Sequence, residues 1–323
     1  MSLRSQWTPF LKGGLFPAVP VPLAADGKTH LEAQDRYVRH MASQPVAGVA
    51  VWAHTGRGLM LPPEQRNQIM RAWRAGIVTG RHIIAGVGAR PAPGQTRQQI
   101  FDQAVRMGEE ALANGADILM AYAPSYLKGA PDQDAAIIEY HRRLAALGAP
   151  LILFYLYEEA GGVSYSPAVL AELFKLPEVV GIKMATLDSV MTFQDVAAQV
   201  RRAGDPDLLL ITGEDRFLGY SLMCGAEAAL IGMGAACTSL QTDLLKAHAT
   251  GDAAAFLDLN RKVDRFAQVT FTRPMEGYIQ RMLWALVAEG VVPAEATFDP
   301  WGPEITGEEI AAVMRVAREV SAL

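Results

Sequence analysis

Eight short apolar runs punctuate the chain, at 14–22, 47–53, 82–88, 117–123, 150–156, 179–185, 208–213 and 228–234. They lack polar alternation, as expected of parallel strands covered on both faces. Amphipathic stretches lie between them: EAQDRYVRHMAS (32–43), PEQRNQIMRAWRAGI (63–77), TRQQIFDQAVRMGEEALANG (96–115), DQDAAIIEYHRRLAALG (132–148) and SPAVLAELFKL (166–176). The third ends in Asn-Gly, a helix stop, and the last opens on a Ser-Pro pair suited to the N-cap and first turn. With 214–224 as a seventh helix, the repeated unit predicts an α/β fold, a (β/α)8 TIM barrel. An open doubly wound sheet is the alternative. After residue 236 the strand pattern stops and four helical stretches follow, the last opened by a Thr306–Glu309 capping box. The chain therefore divides, on its pattern, into a catalytic barrel at 1–236 and a C-terminal helical extension at 237–323.

Composition narrows the function classes. The 323 residues are 50% hydrophobic, ample for a large core, and carry a net charge of −5. No basic face invites nucleic acid. No run approaches the ~18 apolar residues of a membrane span, and the N-terminus lacks a basic segment followed by an apolar one, so a cytoplasmic protein without membrane partner is expected. Cys224 and Cys237 form no CxxC pair and read as reduced core thiols. The six histidines are scattered without HExxH spacing, so no metal site is expected.

In a barrel of this kind the active site gathers at the C-terminal ends of the strands. The sixth run, VVGIKMATLD, presents Lys183 there, inside an apolar stretch where lysine is rarely found. A neutral amine in such a place attacks a ketone, loses water and forms an iminium, an electron sink that permits C–C or C–O cleavage; apolar neighbours lower its pKa and supply the neutral form. Lys183 could equally snorkel at the barrel mouth or pair with Glu214. The fifth run presents Tyr155, a phenol able to shuttle protons or simply a packing residue, and Tyr157 just beyond. Tyr126 follows the fourth run. His54, Thr55, Gly56 and Arg57 follow the second, with His54 either a proton carrier or a satisfied polar group.

These residues resemble the dihydrodipicolinate synthase/N-acetylneuraminate lyase family of Schiff-base aldolases and dehydratases over roughly 12–270. PVPLAADG is similar to its TPF-x-x-DG, AHTGRGLMLPPEQR to its GTTGE segment, YAPSYL to its PPYY, GIK to the lysine strand, and TGEDRFLGYSLMCGAEAALIG to the region that follows. The resemblance implies a (β/α)8 barrel with C-terminal helices, a homo-oligomer built as a dimer of dimers, and no cofactor. It implies Lys183 as the iminium former, Tyr155 as the phenol, Tyr126 as a tyrosine reaching across a dimer interface, and Thr55 with neighbouring backbone, Gly56 included, as the carboxylate cradle. Leu230, on the eighth run, joins the substrate-binding positions. Three positions depart from the pattern. His54 replaces the relay threonine. Arg57 replaces the motif glutamate, there to grip a substrate carboxylate or to pair with Glu64 or another acid. Ala160 replaces the arginine that binds the synthases' second substrate. The reading is a divergent lyase acting on pyruvate or another 2-oxo acid. A non-catalytic barrel that binds a small carboxylate is the second reading, and a phosphate site at the GxG pairs 86–88 and 232–234 a weaker third.

Overall fold

The computed structural model describes residues 2–321. Seven of the apolar runs become strands: β1 (Gly48–Val51), β2 (His82–Gly86), β3 (Ile118–Ala121), β4 (Leu151–Leu156), β5 (Val179–Ala185), β6 (Leu209–Thr212) and β7 (Ala228–Ala229). All neighbours are parallel, in the order β1-β2-β3-β4-β5-β6-β7.

The first run, 14–22, is a correction to the expected count of eight. It stays extended but forms only isolated bridges, from Leu15 to Ala229 and from Ala18 to Ala50. Pro17, Pro20 and Pro22 have no N–H to offer, so a continuous ladder cannot form. The segment nevertheless touches both edges of the sheet. Phe16 and Ala18 donate to the carbonyls of Ala229 and Ile231, at 2.8 and 2.9 Å, while Val19 donates to Ala50 and Ala50 to Pro17. The sheet is thereby curled, with its two edge strands linked through one extended segment.

Strand alternation sorts the core into two clusters. One packs the sheet against the helices and holds Val49, Ile83, Leu119, Leu153, Ile182 and Met184. The other fills the inside of the curl with Ala50, Ile84, Met120, Ile152, Phe154 and Ile211. The inner cluster is closed below by the unexpected N-terminal helix Leu3–Leu11, whose Leu11 belongs to it. Arg4 of that helix pairs with Asp205 at 2.6 Å and donates to the carbonyl of Val179, the first residue of β5. The open end lies at the strand C-termini.

Helices Thr238–Thr250, Ala253–Thr270, Tyr278–Ala288 and Gly307–Ser321 follow the last strand. Thr306 and Glu309 form the expected box, with Glu309 N–H donating to Thr306 Oγ1 and Thr306 N–H to Glu309 Oε2. This helical part is not separate from the site. The turn at Met275–Gly277, before helix Tyr278–Ala288, carries Glu276 to the strand C-termini. Arg281, fully buried, pins that turn by donating to the carbonyl of Thr272 at 2.8 Å and to Glu309 at 2.7 Å.

Candidate active site

Lys183 stands near the C-terminal end of β5 and is only 5% exposed. It pairs in register with Phe154 of β4 and Ile211 of β6. Its Nζ lies 4.0 Å from the centroid of the Phe154 ring. The lysine does not snorkel, and it forms no ion pair with Glu214 or any other described residue. Glu214 is instead occupied by the turn after β5, accepting from Thr186 N–H, Thr186 Oγ1 and Leu187 N–H at 2.7–2.9 Å. Asp215 accepts from the Met233 N–H at 2.6 Å. Burial holds the Lys183 amine down at about 8, with Asp215 and Glu214 pulling the other way. Burial also pushes Asp215 up to about 7 and Glu214 up to about 8. Gly213 makes room for the lysine, since a Cβ there would sit 2.5 Å from Lys183 Cε.

The structure does not bring Tyr155 to the lysine. Lys183 and Phe154 face the inside of the curl, so the next residue along β4 faces out. Tyr155 pairs in register with Met184 and packs edge-on against Tyr165, ring centroids 5.7 Å apart. The expected phenol at Lys183 is therefore corrected to the Phe154 ring. Tyr126 sits in the turn Ser125–Leu127 with its hydroxyl buried and without partner among the described residues, and lines neither cavity of the site. Leu230 is likewise part of the inner core rather than a cavity wall.

The residues after β1 converge on an acid that the sequence reading missed. His54 Nε2 lies 2.9 and 3.0 Å from the two carboxylate oxygens of Glu276. Tyr157 donates to Glu276 Oε1 at 2.5 Å, and Arg57 to Oε2 at 2.7 Å. Burial alone would raise Glu276, but these donors outweigh it and hold the carboxylate at about 2. Arg57 also grips Asp299 through Nε and Nη2, at 3.2 and 2.7 Å. The guanidinium is thus engaged by two acids of its own chain, so of the two readings of Arg57 the structure shows pairing with another acid, although that acid is not Glu64. Thr55 Oγ1 hydrogen-bonds to Tyr278 Oη at 2.9 Å, and Tyr278 stacks on Phe271. Gly56 turns the chain, its N–H donating to Ala53, and a Cβ would meet the Val19 carbonyl at 3.0 Å. Trp52, Arg57 and Leu187 all hold positive φ at this end of the sheet, at 59°, 51° and 64°, the kind of backbone strain that collects at working sites.

Two adjoining cavities result. The inner one, about 20 Å³, exposes Lys183 to His54, Thr55, Phe154, Tyr157 and Tyr278. The outer one, about 200 Å³, shares His54 and Phe154 and is walled chiefly by Trp52, Leu59, Met60, Val87 and Met120. Among the described residues no cluster of three or more His, Cys, Asp or Glu could hold a metal, and no helix is long and apolar enough to cross a membrane.

Parallel strands curled around an inner core, with a lysine buried at their C-terminal ends, define an α/β protein of TIM-barrel-like type. The chain belongs to the Dihydrodipicolinate synthetase family, whose model matches residues 11–319. It is 30% identical over 256 residues to 4-hydroxy-tetrahydrodipicolinate synthase of Synechococcus sp. strain CC9605, covering 78% of each chain. Among solved structures it resembles YagE, a prophage protein of E. coli K12 in the dihydrodipicolinic acid synthase family solved with pyruvate. That match has TM-score 0.82 and 21% identity, over 95% of this chain and 98% of that one. N-acetylneuraminate lyase of Mycoplasma synoviae matches with TM-score 0.75 and 19% identity, over 97% and 98%.

Proposed function

We propose that the protein is a Schiff-base-forming lyase that acts on pyruvate or a related 2-oxo acid through Lys183. The carrying observation is the lysine itself: buried at the strand C-termini, unpaired by any acid of the described chain, and held by burial at about 8. Such an amine is neutral often enough near neutral pH to add to a ketone. The family relative solved with pyruvate supports a 2-oxo acid as the carbonyl partner. In this reading the linked edges of the sheet make a closed barrel, and the Met275–Gly277 turn makes the C-terminal helices part of its active face.

The second substrate, or leaving fragment, would occupy the outer cavity. Ala160, read as replacing the synthases' arginine, is part of that wall, although Arg90 lines the same cavity. The rest of the lining is mostly apolar, with Arg90, Tyr122 and Ser125 as polar members beside His54 and Arg57. The replaced arginine and the mostly apolar wall fit aldol cleavage or dehydration of a 4-hydroxy-2-oxo acid. The test is turnover of a panel of such acids, with pyruvate release or 2-oxo acid formation as readout. Lys183→Ala is expected to abolish turnover. A panel turned over equally well by Lys183→Ala overturns the proposal.

A further inference from the structure

With a phenyl ring over Lys183 and Tyr155 turned outward, the proton carrier of the Schiff-base reaction must be sought elsewhere. His54 lines the cavity that Lys183 enters. Glu276 is acceptor-only as a carboxylate, so the Nε2 that faces both of its oxygens carries the hydrogen. In the neutral ring that leaves the lone pair on Nδ1, which has no hydrogen-bond partner among the described residues. We propose that His54 is the general acid and base at the lysine-bound substrate, and that Glu276 is the positioning residue that fixes its tautomer and steadies its imidazolium. This rests on the Schiff-base reading and deepens it.

The protons balance through one nitrogen. Neutral Lys183 adds to C2 of the 2-oxo acid, and one proton passes from nitrogen to the carbonyl oxygen. Imidazolium gives a second proton from Nδ1, the oxygen leaves as water, and the iminium remains. Nδ1, now bare, takes a proton from C3; the product is the neutral enamine, and the imidazolium is restored. The carboxylate behind the ring stabilises that cation and holds the ring in line, as an acid does behind a histidine in other proton-transfer sites. Tyr157 and Arg57 bind the same carboxylate and keep it ionised and in place. Lys183, Asp215 and Tyr278 line the same cavity as the ring.

The experiment follows exchange of the C3 protons of pyruvate for solvent deuterium by proton NMR, between about pH 5 and pH 9, in the full-length wild type, His54→Gln and Glu276→Gln. Borohydride trapping runs in parallel. All three proteins are expected to trap pyruvate on Lys183 on long incubation, His54→Gln more slowly because its iminium forms without the imidazolium, while exchange falls by roughly 10²–10⁴-fold in His54→Gln. In Glu276→Gln exchange also falls, with pyruvate still trapped on Lys183. Exchange within about twofold of wild type in His54→Gln, or in a Glu276→Gln protein that still traps pyruvate, overturns the proposal. Glu276→Gln can compromise folding, so a readout on the wild type stands beside it. The ¹⁵N resonances of neutral His54 are expected to place the proton on Nε2, and a proton on Nδ1 overturns the proposal. A wild type that traps no 2-oxo acid at all would instead overturn the Schiff-base reading beneath it.

Discussion

The amine nitrogen of Lys183 lies 4.0 Å from the centre of the Phe154 ring. A phenyl face attracts a cation but neither gives nor takes a proton. It shields the amine from water without supplying acid or base, and the residue next to it in sequence, Tyr155, is on the other side of the strand. Tyr155→Phe is therefore expected to leave turnover unchanged to within about twofold, the effect of a neutral substitution. Steady-state kinetics on the variant check this. A loss of ~10²-fold or more would mean that the phenol reaches the lysine after all.

Gly213→Ala probes the packing of the lysine stem. The added methyl would lie 2.5 Å from Lys183 Cε and 2.8 Å from the Met184 carbonyl, and backbone does not give way cheaply. The side chain must move instead, and a displacement of about 1 Å at a reacting group costs up to ~10²-fold in rate. The variant is expected to fold, by circular dichroism, while its rate of borohydride-trapped adduct formation falls at least about tenfold. An unchanged rate would show that the lysine has slack.

A pH dependence follows from burial. Lowering the Lys183 pKa from 10.5 to about 8 leaves about one amine in ten neutral at pH 7, against about one in three thousand otherwise. Raising the pH removes the proton, so the rate of adduct formation should climb with pH and level off above about 8. Stopped-time trapping across the range measures it. A rate that still climbs steeply beyond about pH 10 would place the lysine in a water-like environment.

Arg57 is predicted to hold the mouth together rather than to bind substrate. Its side chain is 8% exposed, and that of Asp299 2%. Removing one partner of a buried pair costs about 3–5 kcal/mol because the remaining charge is stranded. Arg57→Met should show a loss of that size in urea unfolding. A loss below about 1 kcal/mol would release Arg57 to act on ligands.

The strand order and the lysine were legible because both rest on local signals: apolar runs of strand length and one charged residue inside them. Placement of Tyr155 failed on parity. A family motif located a tyrosine near the end of the fifth run, but only the register of β4 against β5 reveals that Phe154, one residue earlier, shares the inner face with Lys183. The first run failed as a strand because its prolines remove the donors of a ladder, although its apolar pattern is that of a strand. Glu276 had no local signal at all. It is 222 residues from His54 in sequence, in a helical region read as an extension. Its role depends on a turn pinned by Arg281, which no periodicity reports. The departures at His54 and Arg57 were visible as departures, and the missing fact was the acid that both of them bind.

The central claim is a covalent bond at one nitrogen. Wild type and Lys183→Ala, each incubated with pyruvate and borohydride and then weighed as intact chains, test it most directly. The expected result is a single reduced adduct on the wild type, mapped by peptide sequencing to Lys183 and absent from the variant. A wild type that gains no mass with pyruvate or any other 2-oxo acid, or an adduct that persists in Lys183→Ala, would contradict the account.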